Sequence, residues 1–461
     1  MAISIYSSKN GNYAIKTYEE KSSELFPTSN CVREIIYLNY LKHENIINLE
    51  DVLYSTDRYK IKLFMPAMKY DLKTNRNIKE DTLKIIFHKC LQGLKYLHDL
   101  NLVHRDIKPE NILSNEDFTD IKICDFGSIK SVPSIHDVKD LNNEGTTLMY
   151  VAPELIFTNY KYVYDTSVDV WALICTMWEI LFQEVLFDAY SHVGLVTAFF
   201  KILGIPDLGR YPNLDSMYIN AHLKIKVVPD NSVENKKSKL SSELKEIFSS
   251  VLTYEINQRP NCDNILSHKY FSNIKDDCET EDEMSDTNSN ILKSPKDSAD
   301  VACCYWLACM AEELAVDART VLSTISLYDN INKELGINCK KKQGYIISCL
   351  SICMNLYSYD AISIDIYREA ANNSIDRDTI NRYRIQILQI LEPEWIFNVK
   401  ELNDGDFANY ILLSIMGKLE VPCDVKNNEG YYKELLDQLM KFIKFHKVDD
   451  LKLPYGIDQL I

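Results

Sequence analysis

The chain has 461 residues, with 51 Lys+Arg against 67 Asp+Glu and a formal net charge of -16. That length holds roughly two or three domains, each able to bury a core, and the acidic balance argues against nucleic acid or an anionic membrane as a main partner. Apolar residues at 46% and charged residues at 26% exclude disordered and collagen-like classes. The 13 glycines amount to about 3% where ~7% is usual, so a function built on clustered glycines has little material.

Along the chain, Ile3–Ser8 and Asn12–Tyr18 read as antiparallel strands joined by a turn at Asn10-Gly11. A helix follows near Val32–Leu41. From Thr82 to Leu97, apolar Leu83, Ile86, Phe87, Cys90, Leu91, Leu94 and Leu97 recur at helical spacing and predict a long amphipathic helix facing a core. The apolar run Val170–Phe182 is interrupted by Thr176 and Glu179 and is too short to span a bilayer, so it predicts a buried helix. Residues 272–298 are polar and acidic with no apolar period, the pattern of a flexible tether. Helical patterns resume over Val301–Leu314, Arg319–Leu335, Gln343–Leu356, Ser363–Ala371 and Arg377–Leu391. The first residues lack the charged-then-apolar layout of a secretory signal, which predicts an intracellular protein, cytoplasmic or nuclear. The 13 cysteines form no CxxC pair, and Cys349 and Cys353 share a helix face among Leu and Ile, so reduced, structural cysteines are expected.

The residues that carry chemistry are His104-Arg105-Asp106-Ile107-Lys108-Pro109-Glu110-Asn111, then Asp125-Phe126-Gly127, then Ala152-Pro153-Glu154. In this order they resemble the eukaryotic protein kinase family. Phosphoryl transfer needs a carboxylate to orient the attacking hydroxyl and oxygen ligands for the magnesium that neutralises the phosphates. By resemblance Asp106 is the catalytic base, Lys108 reaches the transferred phosphate, and Asn111 and Asp125 hold Mg2+; the Asp-x-Lys-Pro-x-Asn form implies serine/threonine rather than tyrosine specificity. Lys16 in Ala14-Ile15-Lys16 resembles the strand lysine that binds the ATP phosphates, and Glu34, 18 positions on, its helix partner. Met65 would border adenine, with Pro66 to Met68 as the hinge and the Met68 N–H as its donor. Glu154 is expected to pair with Arg259, and Asp169 to cap the catalytic loop.

Pro27-Thr28-Ser29-Asn30-Cys31-Val32-Arg33-Glu34 looks like a diverged Pro-Ser-Thr-Ala-Ile-Arg-Glu helix, and Leu203-Gly204-Ile205-Pro206-Asp207 resembles the insert of cyclin-dependent kinases. Residues 299–397, with Tyr305-Trp306-Leu307 opening and Gln386–Trp395 closing, resemble a cyclin box. The expected class is therefore α+β: a bilobal protein kinase fold over 1–271 whose N-lobe lacks its first strand and Gly-rich loop, an acidic linker 272–298, an all-α cyclin-like domain 299–397 and a short helical extension 398–461. A start placed too late or a reduced lobe would each explain the missing loop. The resemblance implies protein substrates, ATP, and a tethered cyclin-like module docking on its own kinase at raised effective concentration.

Three departures stand against the pattern. Asn142 falls where the activating threonine of cyclin-dependent kinases is expected, with Asp140 or Glu144 as electrostatic substitutes, and Val151 replaces the usual arginine before Ala152. Asn355 and Arg384 fall where cyclins present a lysine and a glutamate to the kinase, one charge lost and the other reversed, so Arg384 is expected to meet an acidic surface if the module docks. The missing loop and the altered charges at Asn355 and Arg384 support a second reading, a catalytically weak kinase-like scaffold that binds partners through the cyclin-like half.

Overall fold

The computed structural model describes residues 2–8, 11–19, 26–55, 60–74, 77–131, 134–136, 148–157, 162–207, 231–274, 307, 316, 318–338, 341–357, 366–367 and 375–397. Two compact units emerge, one of Met1–Glu20 with Thr28–Glu283, the other of Lys21–Pro27 with Met284–Ile461. The second boundary falls within the expected tether; the excursion of Lys21–Pro27 into the second unit has no counterpart in the sequence reading.

In the first unit, β1 (Ala2–Ser8) and β2 (Gly11–Glu19) pair antiparallel from Ala2↔Thr17 to Ser8↔Gly11, the hairpin that the Asn-Gly step encodes. With β3 (Asp51–Ser55) and β4 (Lys60–Pro66) they form a four-stranded sheet in the order β1-β2-β4-β3. Strand β4 alternates buried Ile61, Leu63 and Met65 with half-buried Lys62 and Phe64, one face to the core and one to water. Helix α1 (Ser29–Tyr40) begins three residues before the expected start because Thr28 caps it, its hydroxyl accepting from Cys31 N at 3.4 Å. All of Cys31–Leu38 is buried, so α1 is enclosed on every side, and it packs on the turn Phe126–Ser128.

A helical lobe completes this unit. Helix α2 (Glu80–Asp99) buries Leu83, Ile86, Phe87, Cys90, Leu91, Leu94 and Leu97, the stripe read from the sequence. Short strands β5 (Tyr70–Asp71), β6 (Leu102–Val103), β7 (Ile112–Ser114), β8 (Ile121–Ile123) and β9 (Lys130–Ser131) pair as β5-β7-β8 and β6-β9 and fix the ends of the loops between them. Strands β10 (Ser134–His136) and β11 (Tyr162–Tyr164) make a further pair. Helix α3 (Pro153–Phe157) precedes α4 (Ser167–Phe182), which is buried continuously from Val168 to Ile180; a helix apolar all round belongs at the centre of its lobe, and α4 packs on α2. Helices α5 (His192–Leu203) and α7 (Ser242–Val251) pack on it and α8 (Cys262–Leu266) packs on α2; α6 (Asn231–Lys237) precedes α7.

The second unit is helical: α9 (Ala318–Leu335), α10 (Lys342–Tyr357), α11 (Arg377–Ile390) and α12 (Glu394–Phe397), close to three of the expected helices. The central one is α10, packed on both α9 and α11. Its Gly344 permits that approach, since a Cβ there would lie 2.7 Å from Cε2 of Tyr383, whose ring stacks on Tyr345 at 4.1 Å. Cys349 and Cys353 are buried core thiols, and burial pushes the Cys349 thiol well up, away from thiolate chemistry.

Arg384 requires a correction. Expected at a docking surface, it is fully buried in the helical unit and donates to Ser351 Oγ (2.9 Å), Asn355 Oδ1 (2.9 Å) and the carbonyl of Pro27 (2.6 Å). Within the same unit Asn381 Oδ1 accepts from the backbone N–H of Phe26 at 3.1 Å. Neutral side chains and a backbone carbonyl thus accept from both terminal nitrogens of the buried guanidinium. Residues 275–298 of the tether, nearly all of 299–317, and 398–461 lie outside the described residues. Among the described residues no helix is long and apolar enough to cross a membrane.

Candidate active site

The loop from β6 to β7 is organised from below by α4. Asp169, fully buried near the start of that helix, accepts from the backbone N–H groups of His104 (2.7 Å) and Arg105 (2.9 Å), and His98 Nε2 lies 3.2 Å from the same carboxylate. This is the capping role expected of Asp169. Two turns of α4 further on, Thr176 reaches the carbonyl of Ile107 at 3.5 Å. Arg105 adopts φ +70°, a left-handed conformation that costs a non-glycine residue about 1–3 kcal/mol and persists only where surrounding bonds impose it; the Asp169 bonds supply that constraint.

Above this floor stands Asp106. Lys108 Nζ donates to both of its carboxylate oxygens at 2.9 and 2.8 Å, and Asn111 Nδ2 donates to its Oδ2 and to its backbone carbonyl, each at 2.8 Å. The carboxylate is therefore fixed in direction. Asn111, spending its amide nitrogen on Asp106, keeps its side-chain oxygen as an acceptor.

The second half of the site comes from the sheet lobe. Lys16 on β2 donates to Glu34 Oε1 and to Asp125 Oδ1, both at 2.8 Å, with Lys16 and Glu34 3% and 1% exposed. Burial alone pulls the Lys16 ammonium down, but the two carboxylates outweigh it and hold the proton on. Burial pushes the Glu34 carboxyl up beyond what Lys16 offsets, whereas at Asp125 the burial effect is overcome by Lys16 and the net shift is downward. Asp125 is thus ionised and one-third exposed. Its φ of +66° is the second left-handed backbone in the site, followed by Phe126, wholly buried with its ring edge-on to His104 at 5.0 Å. Helix α1 is fastened to the same turn, Arg33 Nε donating to the carbonyl of Gly127 at 2.6 Å. A Cβ on Gly127 would sit 3.1 Å from Asn30 Cβ, so glycine allows that approach.

Asn111 and Asp125 offer an amide oxygen and an ionised carboxylate, the hard oxygen donors that a magnesium ion takes, so the residues present fit the ion. Met65 and Pro66 end β4, facing Ala14 and Tyr13 across the strand pair that carries Lys16, and Met68 follows two residues later. Glu154 and Arg259 form a bidentate buried pair, 2.6 and 2.7 Å. The positions of Asn142, Asp140 and Glu144 fall outside the described residues. Tyr18 escapes the sequence reading: its hydroxyl donates to Glu34 Oε2. The signal was present, since Lys16 and Tyr18 are two apart and so share one face of a strand.

Comparison with known proteins agrees with this geometry. The family described as protein kinase domain matches residues 3–271. Mitogen-activated protein kinase hog-1 of Neurospora crassa is 30% identical over 274 residues, 58% of this chain and 73% of that protein. Cyclin-dependent kinase 1 of Encephalitozoon cuniculi is 30% identical over 266 residues, 55% of this chain and 86% of its own. Among solved structures, a chain of the yeast RNA Pol II CTD kinase CTDK-1 complex superposes with TM-score 0.50 at 24% identity, over 59% of this chain and 90% of that one, which speaks to fold. The chain belongs to the protein kinase family, as a serine/threonine protein kinase that uses ATP and Mg2+.

Proposed function

We propose that this kinase resembles the cyclin-dependent kinases and carries its own cyclin-like regulator, residues 299–397, joined by a tether. It transfers the ATP γ-phosphate to Ser and Thr hydroxyls of protein substrates. The observation that carries the catalytic part is the joined array Glu34–Lys16–Asp125 facing an Asp106 held by Lys108 and Asn111. In this reading Asp106 orients the substrate hydroxyl and accepts its proton, Lys108 and Lys16 bear on phosphate charge, Met65 and the Pro66–Met68 backbone border adenine, and Asn111 and Asp125 hold magnesium. When bound, the ion neutralises phosphate charge during transfer.

The regulatory part is supported by two bonds in the helical unit. Asn381 and Arg384 hold Phe26 N and Pro27 O, and Pro27 runs directly into Thr28, the cap of the helix that bears Glu34. Within the helical unit Asn355 and the Pro27 carbonyl both accept from the Arg384 guanidinium. A chain ending at Ile274 and the full-length variant Arg384→Ala should each phosphorylate a broad acceptor protein about tenfold more slowly than the intact chain, the loss given by one charge-assisted hydrogen bond. Undiminished activity of the shortened chain would remove the regulatory reading and leave the kinase standing alone.

A further inference from the structure

Glu34 has two carboxylate oxygens and a single ammonium to share. Lys16 takes Oε1, and Oε2 accepts from the phenol of Tyr18. Both donors project from one face of β2 and are buried, 3% and 6% exposed, while Glu34 itself is 1% exposed. The site is closed to bulk solvent, and a carboxylate oxygen left bare in such a place is expensive. Burial and the neighbouring Glu34 carboxylate push the Tyr18 phenol far above its ordinary range, so it keeps its proton and remains a donor. Lys16 Nζ also lies 5.5 Å from the centre of the Tyr18 ring, which lines the ammonium's path.

The lysine has two acceptors with different prospects. Asp125 is one-third exposed and is one of the two oxygen donors suited to magnesium, so its bond to Lys16 is the one that can be exchanged. Glu34 is the enclosed partner. With Lys16 alone to hold it, its carboxylate could turn about its last bond and follow the lysine; a second donor on the other oxygen removes that freedom. We propose that Tyr18 is a positioning residue of the phosphotransfer site, its hydroxyl fixing the Glu34 carboxylate so that Lys16 stays directed at the nucleotide phosphates when Asp125 is engaged elsewhere. This rests on the kinase assignment but not on the cyclin-like module.

Tyr18→Phe in the full chain keeps the ring and removes only the hydroxyl. The dissociation constant for Mg-ATP, read by displacement of a fluorescent analogue, should rise about fivefold, and kcat on a broad acceptor protein should fall by about as much, the effect of one hydrogen bond. KM for the acceptor protein should stay unchanged. In a Glu34→Ala background, which lacks the acceptor oxygen, Tyr18→Phe should add nothing, the sign of a coupled pair. Wild-type affinity for Mg-ATP in Tyr18→Phe, or full additivity with Glu34→Ala, overturns the proposal, as does a variant that only melts earlier. Because affinity is read without turnover, a protein that fails to transfer phosphate would count against the kinase assignment while the affinity still decides the role of Tyr18; if Glu34→Ala does not fold, the affinity of the single variant decides.

Discussion

Asp106→Asn should lower kcat by about a thousandfold, within the range that a positioned general base contributes, while Mg-ATP affinity stays near that of the parent. The surroundings of the carboxylate explain why the change is confined to chemistry. Oδ2 receives both Lys108 and Asn111, whereas Oδ1 receives only Lys108. The asparagine amide will therefore turn its NH2 to the Oδ1 side, where one donor has to yield, and keep an oxygen for Asn111. The backbone is untouched, since Asp169 holds the loop through His104 N and Arg105 N. Radiolabel transfer to a broad acceptor protein, beside a melting curve of the same preparation, checks both halves. Equal transfer by parent and variant would remove Asp106 from the reaction and favour the scaffold reading.

The largest loss of stability should come from Arg259→Ala. Its guanidinium has no exposed surface, grips both oxygens of Glu154, donates twice to the carbonyl of Thr253 and lies 4.8 Å from the centre of the Trp171 ring. Removing one member of a buried pair leaves an uncompensated charge and costs about 3–5 kcal/mol. For a domain of this size each kcal/mol moves Tm by about 2–4 °C, so Tm should fall by about 6–20 °C. Since Glu154 opens α3, just beyond the segment that follows Asp125-Phe126-Gly127, activity should fall as well. Replacing both partners with apolar residues, Glu154→Leu with Arg259→Met, should recover part of the melting temperature, because the penalty lies in the orphaned carboxylate. A shift below 2 °C in the single variant would show that the pair is dispensable.

Much of this site was legible in the sequence because its chemistry is carried by short ordered motifs. His104 through Asn111 places base, lysine and amide within one loop, and a loop that short leaves little choice of geometry. Asp169 and Arg259 were legible for the same reason: each performs one electrostatic task for a neighbour named by a motif. What escaped were partnerships formed by faces and backbone atoms. Tyr18 reads as one more aromatic strand residue until the helix carrying Glu34 is laid against it. Arg33 bonds a carbonyl, that of Gly127, and a carbonyl leaves no trace in composition. Arg384 was read as a reversed docking charge because it falls where cyclins present a glutamate; Asn355, Ser351 and Pro27 O accept from it, two of them neutral side chains and the third a backbone atom more than 350 residues away.

The grouping of Phe26 and Pro27 with the helical unit also bears on how the protein can be divided. The chain leaves the kinase unit after Glu20, returns at Thr28 and leaves again beyond Glu283. Neither unit is a single continuous stretch, so one cut does not produce two clean halves. A protease that nicks the acidic tether would sever one of three crossings and leave Asn381 and Arg384 still bonded to the stretch before α1. The nicked molecule should then travel as one particle in gel filtration while running as two bands in denaturing gels, and its two pieces would behave as complementing fragments rather than as an enzyme and a detachable subunit.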